Sequence, residues 1–177
     1  MSDHPSDPRR RFLAVLAAGA TALTGALAAI PGLGLLLNPL LQKSAGPGST
    51  PIRVSATPAD VKPGKPVRVD VISNVSDGWA RFEKVKLGAA WLVRGEAGRL
   101  RAFSTVCPHL GCGIDYDEKA GKFLCPCHNS GFGTDGQCQY GPSPRGLDEL
   151  ELVTNDTEIR VRYQRFKVAS KTKEPIG

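Results

Sequence analysis

The sequence predicts an all-β domain placed behind one membrane-spanning helix, and three observations predict it. An uncharged apolar stretch lies near the start, apolar and polar residues alternate with a period of two through much of the remaining chain, and no long segment past Pro51 carries a helical stripe. With 177 residues, 41% hydrophobic and 23% charged, there is room for one globular domain and an accessory segment, not for a multidomain enzyme. The 20 Gly and 14 Pro show no three-residue period, which excludes a collagen-like chain, and the moderate charge excludes a disordered one. The formal charge is +6, with cations alternating with acids along the strands and no dense basic stripe with interleaved aromatics, so nucleic acid is not a partner.

The apolar stretch is an address and an anchor. No charged residue occurs from Phe12 to Gln42, and Phe12 to Ile30 alone supplies 19 residues, close to the roughly 20 that a helix needs to cross a bilayer core. Arg9-Arg10-Arg11-Phe12-Leu13 immediately before it resembles a twin-arginine export signal, with Pro8 where Ser or Thr is more usual. Cleavage at Ala26-Leu27-Ala28 would leave Ile30 to Leu37 at the start of a soluble protein, so an uncleaved anchor is expected. Pro31 marks a kink in this helix or its end. The arginines keep the N-terminus in the cytoplasm and put everything after Lys43 on the other side of a bacterial inner membrane. The expected division is a cytoplasmic leader (1–11), a signal anchor (12–42), a flexible linker (43–51) around Ser44-Ala45-Gly46-Pro47-Gly48, a β domain (52–166) and a mobile tail (167–177).

Strands are read at Val67, Val69 and Val71; at Ala90 to Arg94; at Arg101 to Val106; at Leu150 and Leu152; and at Ile159, Val161 and Tyr163. Trp79, Phe82, Trp91 and Phe103 read as core. His4, in a polar N-terminus, has no assigned role.

Four of the five cysteines and two of the three histidines fall within 22 residues, in Cys107-Pro108-His109-Leu110-Gly111-Cys112 and Cys125-Pro126-Cys127-His128-Asn129-Ser130. The core pattern is C-x-H, a gap of 15 residues, then C-x-x-H. Two loops that each supply a thiolate and an imidazole can close on a metal centre, and surrounding Gly and Pro suit tight loops whose amides point inward. The spacing is compatible with a tetrahedral zinc or with a [2Fe-2S] cluster that has one iron on both Cys and the other on both His. Two features decide for the cluster. Cys112 and Cys127 take equivalent places in the two loops, which suits a disulfide, and a disulfide persists only in an oxidising compartment. The export signal supplies that compartment by a route that carries proteins folded around their cofactors.

These boxes, with Gly141-Pro142-Ser143-Pro144 downstream, resemble the Rieske iron-sulfur protein of cytochrome bc1 and b6f complexes. The motif match covers about Arg101 to Leu150, and the layout match most of the chain. The resemblance implies a cluster-binding subdomain at about 101–147, ligation of one [2Fe-2S] cluster by Cys107, His109, Cys125 and His128, a Cys112–Cys127 disulfide, and a proline loop with Gly141, Pro142 and Pro144 over a third side. It also implies that His109 and His128 face quinol and couple a proton to the electron, that Leu110 shields the cluster, and that Ser130 donates to a bridging sulfide.

Neutral imidazole in place of thiolate raises the potential to roughly −150 to +300 mV, against about −400 mV for all-cysteine clusters. High-potential members carry a Tyr four residues after the second His, and here that position is Phe132, which cannot donate. The expectation is a lower potential, and with it a lower-potential quinol such as menaquinol. Asn129 stands where Gly is common. Cys138, the odd cysteine, reads as a buried inert thiol. The implied function is electron transfer from quinol to a c-type cytochrome beside a cytochrome b, with the chain not catalytic alone. The layout also resembles the Rieske small subunit of an exported molybdenum oxidase such as arsenite oxidase.

Overall fold

In the computed structural model, which describes residues 7–41, 50–76, 79–95 and 97–176, the first element is helix α1 (Pro8–Leu41). Asp7 starts it. Its Oδ1 accepts from the Arg9 amide at 3.1 Å and its carbonyl from the Arg10 amide at 2.9 Å, while Pro8 fills the first helical position, where a missing N–H costs nothing. The hydroxyls of Thr21 and Thr24 donate one turn back to the carbonyls of Ala17 and Ala20, each at 2.8 Å, so these polar atoms are satisfied inside the helix. The helix begins four residues before the expected anchor and runs through Pro31 without ending there. From Pro8 to Asn38 it is long and apolar enough to cross a membrane. The expected linker falls almost wholly on residues outside those described.

The second unit is β-structure. Its strands are β1 (Ile52–Arg53), β2 (Val67–Ser76), β3 (Arg81–Arg94), β4 (Leu100–Ser104), β5 (Asp115–Asp117), β6 (Lys122–Cys125), β7 (Ser130–Phe132), β8 (Cys138–Tyr140), β9 (Glu149–Thr154), β10 (Ile159–Arg162), β11 (Arg165–Phe166) and β12 (Pro175–Ile176). These strands pair with one another antiparallel: a six-stranded sheet in the order β1-β10-β9-β4-β3-β2, a four-stranded meander β5-β6-β7-β8, and the pair β11-β12.

The period of two on β3 and β4 divides the interior. Successive side chains point to opposite faces. Ala90 and Leu92, with Ala102 opposite Leu92, face a core that includes Val69, Val71, Leu150, Ile159 and Val161. Trp91 and Val93, with Phe103 opposite Trp91, face a second core with Cys107, Ile114, Phe123, Cys125, Phe132 and Leu147. The sheet is thus the wall between a structural core and the lobe that carries the Cys/His boxes. Burial of Phe103, Phe123 and Phe132, all fully enclosed, contributes about 1.5–3 kcal/mol each. The Trp91 indole N–H donates to the Ile114 carbonyl at 3.0 Å, which satisfies its one polar atom.

Three expectations are corrected here. Trp91 and Phe103 are core, but Trp79 and Phe82 are 60% and 51% exposed. They lie at the turn end of the β2–β3 hairpin, beyond the part of β3 that pairs with β4. Residues 167–176 are not without structure of their own: Arg165 and Phe166 pair with Ile176 and Pro175, and the Lys167 amide donates to the Glu174 carbonyl at 2.9 Å. Cys138 lies on β8 as a free thiol, half-buried, its Sγ 3.5 Å from the Tyr140 carbonyl.

Candidate metal centre

The two boxes are loops at the edges of strands. The first comes after β4. Its Cys107 amide donates to the Cys112 carbonyl at 2.8 Å and the Gly111 amide to the Cys107 carbonyl at 2.9 Å, closing a tight turn in which Gly111 has a φ of 83°. The second is the β6–β7 turn, with Cys125 and Ser130 paired across its base. Asn129 takes a φ of 55° there, a left-handed conformation that Asn tolerates among the few non-glycine residues, which accounts for Asn where Gly is common.

Cys112 and Cys127 are joined by a disulfide, so the two loops are covalently braced. The sulfur of Cys125 lies within 4.8 Å of both disulfide sulfurs. A disulfide sulfur is not a thiolate donor, which leaves Cys107 and Cys125, both free and both buried, as the sulfur pair. Burial pushes the Cys107 thiol up to about 11, and the adjacent Cys125 thiol adds to this; the backbone amides of His109 and Leu110, aimed at the Cys107 sulfur, act in the opposite direction. Such a thiol ionises at neutral pH only with a cation beside it.

The imidazoles of His109 and His128 meet edge to face, centroids 4.8 Å apart. His109 is half-buried and His128 exposed. Of three buried side-chain polar atoms without a partner among the described residues, two are here: His109 Nδ1 and Ser130 Oγ. A buried polar atom left unpaired costs about 1–3 kcal/mol. Two adjacent buried thiols, with an imidazole nitrogen and a hydroxyl that have no protein partner, therefore fit a group that accepts from the hydroxyl and ligates through sulfur and nitrogen, as a two-Cys, two-His iron–sulfur cluster does.

The Gly141–Pro144 segment lies flush on the second box. A Cβ on Gly141, whose φ is 93°, would stand 2.5 Å from Ser130 Cα and 2.7 Å from the Asn129 carbonyl oxygen. Leu110 is 55% exposed, and Pro142 and His128 are exposed as well. The two Cys/His boxes, Ser130 and Gly141 sit together in this one lobe. Sequence reasoning missed Arg145 and Asp148, a buried ion pair at 2.7 Å directly after the proline loop; only its i,i+3 spacing and opposite charge were there to be read.

Comparison with known proteins agrees with this lobe. The Rieske [2Fe-2S] domain family matches residues 53–151. The iron-sulfur subunit of menaquinol:cytochrome c reductase from Geobacillus thermodenitrificans is 31% identical over 85% of this chain and 88% of its own. That of the cytochrome b6-f complex from Prochlorococcus marinus is 30% identical over 91% of this chain and 88% of its own. Among solved structures, the cyanobacterial plasma membrane Rieske protein of Synechocystis is 26% identical, over 53% of this chain and 86% of that one, with a TM-score of 0.40. A family match over more than half the chain, and relatives of this identity aligned along nearly their whole length, establish that the chain belongs to the Rieske [2Fe-2S] family and carries one [2Fe-2S] cluster.

Proposed function

We propose that the chain is the iron–sulfur subunit of a membrane quinol:cytochrome c oxidoreductase, which takes an electron with a coupled proton from quinol and passes it to a c-type cytochrome. The observation that carries this reading is the match over 85% of the chain to the iron-sulfur subunit of a menaquinol:cytochrome c reductase. α1 is the anchor, Arg9-Arg10-Arg11-Phe12-Leu13 the twin-arginine signal, and the β unit stands on the extracytoplasmic side of the inner membrane.

In this reading Cys107, Cys125, His109 and His128 would hold the cluster, the thiolates and the imidazoles serving as its ligands. When bound, the cluster supplies a one-electron acceptor whose potential is raised by neutral imidazole ligands. The residues of the chain do the rest. The buried Ser130 hydroxyl, which has no protein partner, would donate to the bound cluster and stabilise its added negative charge. Phe132, fully buried in the same core, offers no second donor, which sets a lower potential and suits menaquinol. His128 hydrogen-bonds a quinol hydroxyl and holds its proton, a role supported by its exposure and by the neighbouring His109 ring. Leu110, Pro142 and Pro144 exclude water and shape an apolar contact for cytochrome b. Because the quinol site is completed by that partner, the chain alone oxidises no quinol.

The test is purification of the chain from membranes of its host. A b-type cytochrome that co-purifies, together with antimycin- or stigmatellin-type-sensitive reduction of cytochrome c by a menaquinol analogue, is the expected result. Co-purification with a molybdenum subunit and no b haem would overturn it.

A further inference from the structure

We propose that Arg145 is a positioning residue: acting through the C-terminal segment Lys167–Ile176, it fixes the loop that carries Cys107 and His109. The proposal rests on the reading of those two residues as ligands.

The chain of contacts is continuous. Arg145 comes directly after the proline loop, where Ser143 Oγ donates to its carbonyl at 2.8 Å. Its guanidinium takes Asp148 in a two-point fork, Nε to Oδ1 at 2.9 Å and Nη2 to Oδ2 at 2.7 Å, with side chains only 10% and 6% exposed. The remaining N–H groups reach across to the C-terminal segment: Nη2 donates to the Lys167 carbonyl at 2.8 Å and Nη1 to the Ser170 carbonyl. Those carbonyls flank Ala169, whose amide in turn donates to the carbonyls of Pro108 at 2.9 Å and His109 at 3.0 Å. Ala169 holds a φ of 54°, a conformation a non-glycine residue keeps only when its surroundings impose it. Val168 adds a packing contact, its Cγ1 lying 3.8 Å from where a Gly111 Cβ would be.

Apolar burial does not hold the segment down. From Lys167 to Ile176 every residue is exposed or half-exposed, so its ordering must come from directed bonds, and only a planar fork with five donors can serve one carboxylate and two carbonyls together. The three walls of the centre are then tied in pairs. The Cys112–Cys127 disulfide joins the first box to the second, Gly141 seats the proline loop on the second, and Arg145 joins the proline loop to the first.

The experiment uses the full-length holoprotein in detergent, with Arg145→Gln, Arg145→Lys and a chain ending at Phe166. Backbone amide exchange and the EPR spectrum of the reduced protein are recorded for each. The expected result is at least about tenfold faster exchange at Ala169 in both point variants, and g-features broadened to the same degree in Arg145→Gln and in the truncated chain, with no further change when the two are combined. Wild-type exchange at Ala169 in Arg145→Gln would overturn the proposal. So would a wild-type spectrum in Arg145→Lys, which would make charge and not the fork the cause. Should the truncated chain not be recovered with its cluster, the exchange comparison of the point variants decides by itself. A wild-type protein without a Rieske spectrum would instead mark failure of the ligand reading, since exchange at Ala169 is measured independently of it.

Discussion

His109 and His128 stand ring edge to ring face at an interplanar angle of 87°, yet they differ in solvent access: the first has its Nδ1 enclosed and without a protein partner, and the second is open. Two imidazoles this close from separate loops are what the proposed shared ligation requires. Either His109→Ala or His128→Ala should lower bound iron from two per chain to near zero while the Cys112–Cys127 disulfide persists. Iron and labile-sulfide analysis beside thiol titration checks this; full iron in His128→Ala would remove that residue from the ligand set.

Ser130 and Phe132 make opposite predictions about the potential. Ser130→Ala removes the buried hydroxyl and should lower the midpoint; Phe132→Tyr offers a new donor and should raise it. A hydrogen bond worth about 1 kcal/mol more to the reduced state shifts a one-electron couple by about 40 mV. An EPR-monitored redox titration reads both, and an unchanged or lower midpoint in Phe132→Tyr refutes the assignment.

The disulfide closes a loop with a sequence separation of 15 residues. On the chain-entropy account such a loop is worth about 3 kcal/mol. Cys112→Ser paired with Cys127→Ser should therefore lower the denaturation midpoint and make the holoprotein lose its visible spectrum under conditions that leave wild type intact.

Gly141→Ala tests the proline loop. A Cβ there meets backbone atoms of the second box at 2.5 and 2.7 Å, and neither is the end of a flexible side chain. The loop must lift, so the variant should lose its cluster to a chelator faster than wild type, with the six-stranded sheet unchanged by circular dichroism.

Away from the centre, Arg101 donates to both carboxylate oxygens of Glu149 at 2.8 Å, and this hydrogen bonding, opposed by partial burial, holds the Glu149 carboxyl below its ordinary value of 4.5. A depressed folded-state value means stability that is present above pH 4.5 and lost as pH falls through the lower folded-state value. The Glu149 side chain is 45% exposed, so the pair is worth about 0.2–1 kcal/mol. Wild type and Glu149→Gln should differ by that amount at neutral pH in urea denaturation and converge on acidification; a constant gap would refute the linkage.

The chemistry of the centre was legible because it is local. Cysteine and histidine at fixed spacing announce a metal whatever surrounds them, and alternation in Val67–Val71 or Ile159–Val161 announces a half-buried strand. What escaped the sequence depends on contacts distant in the chain. Nothing in Lys167–Ile176 alternates or is strongly apolar, and its bonds to the rest of the chain include those from a guanidinium more than twenty residues away to carbonyls that every residue has. Trp79 and Phe82 misled for the converse reason: aromatic character suggests burial, but position at a hairpin turn beyond the paired part of β3 denies it. That Ser130 is buried with its hydroxyl unpaired became visible only once Gly141 lay on top of it.

The segment from Thr105 to Leu147 leaves the large sheet after Ser104 and returns beside it, Phe103 opposite Glu149 and the Ser104 amide 2.8 Å from the Asp148 carbonyl. An excursion whose two ends are one hydrogen bond apart is a graft: the host sheet closes whether the graft is long or short, and among the described residues Trp91, Val93 and Phe103 are the buried apolar side chains of the sheet that pack into it. Inheritance can therefore retune the redox chemistry of such a protein by altering the insert while leaving untouched the strands that hold it.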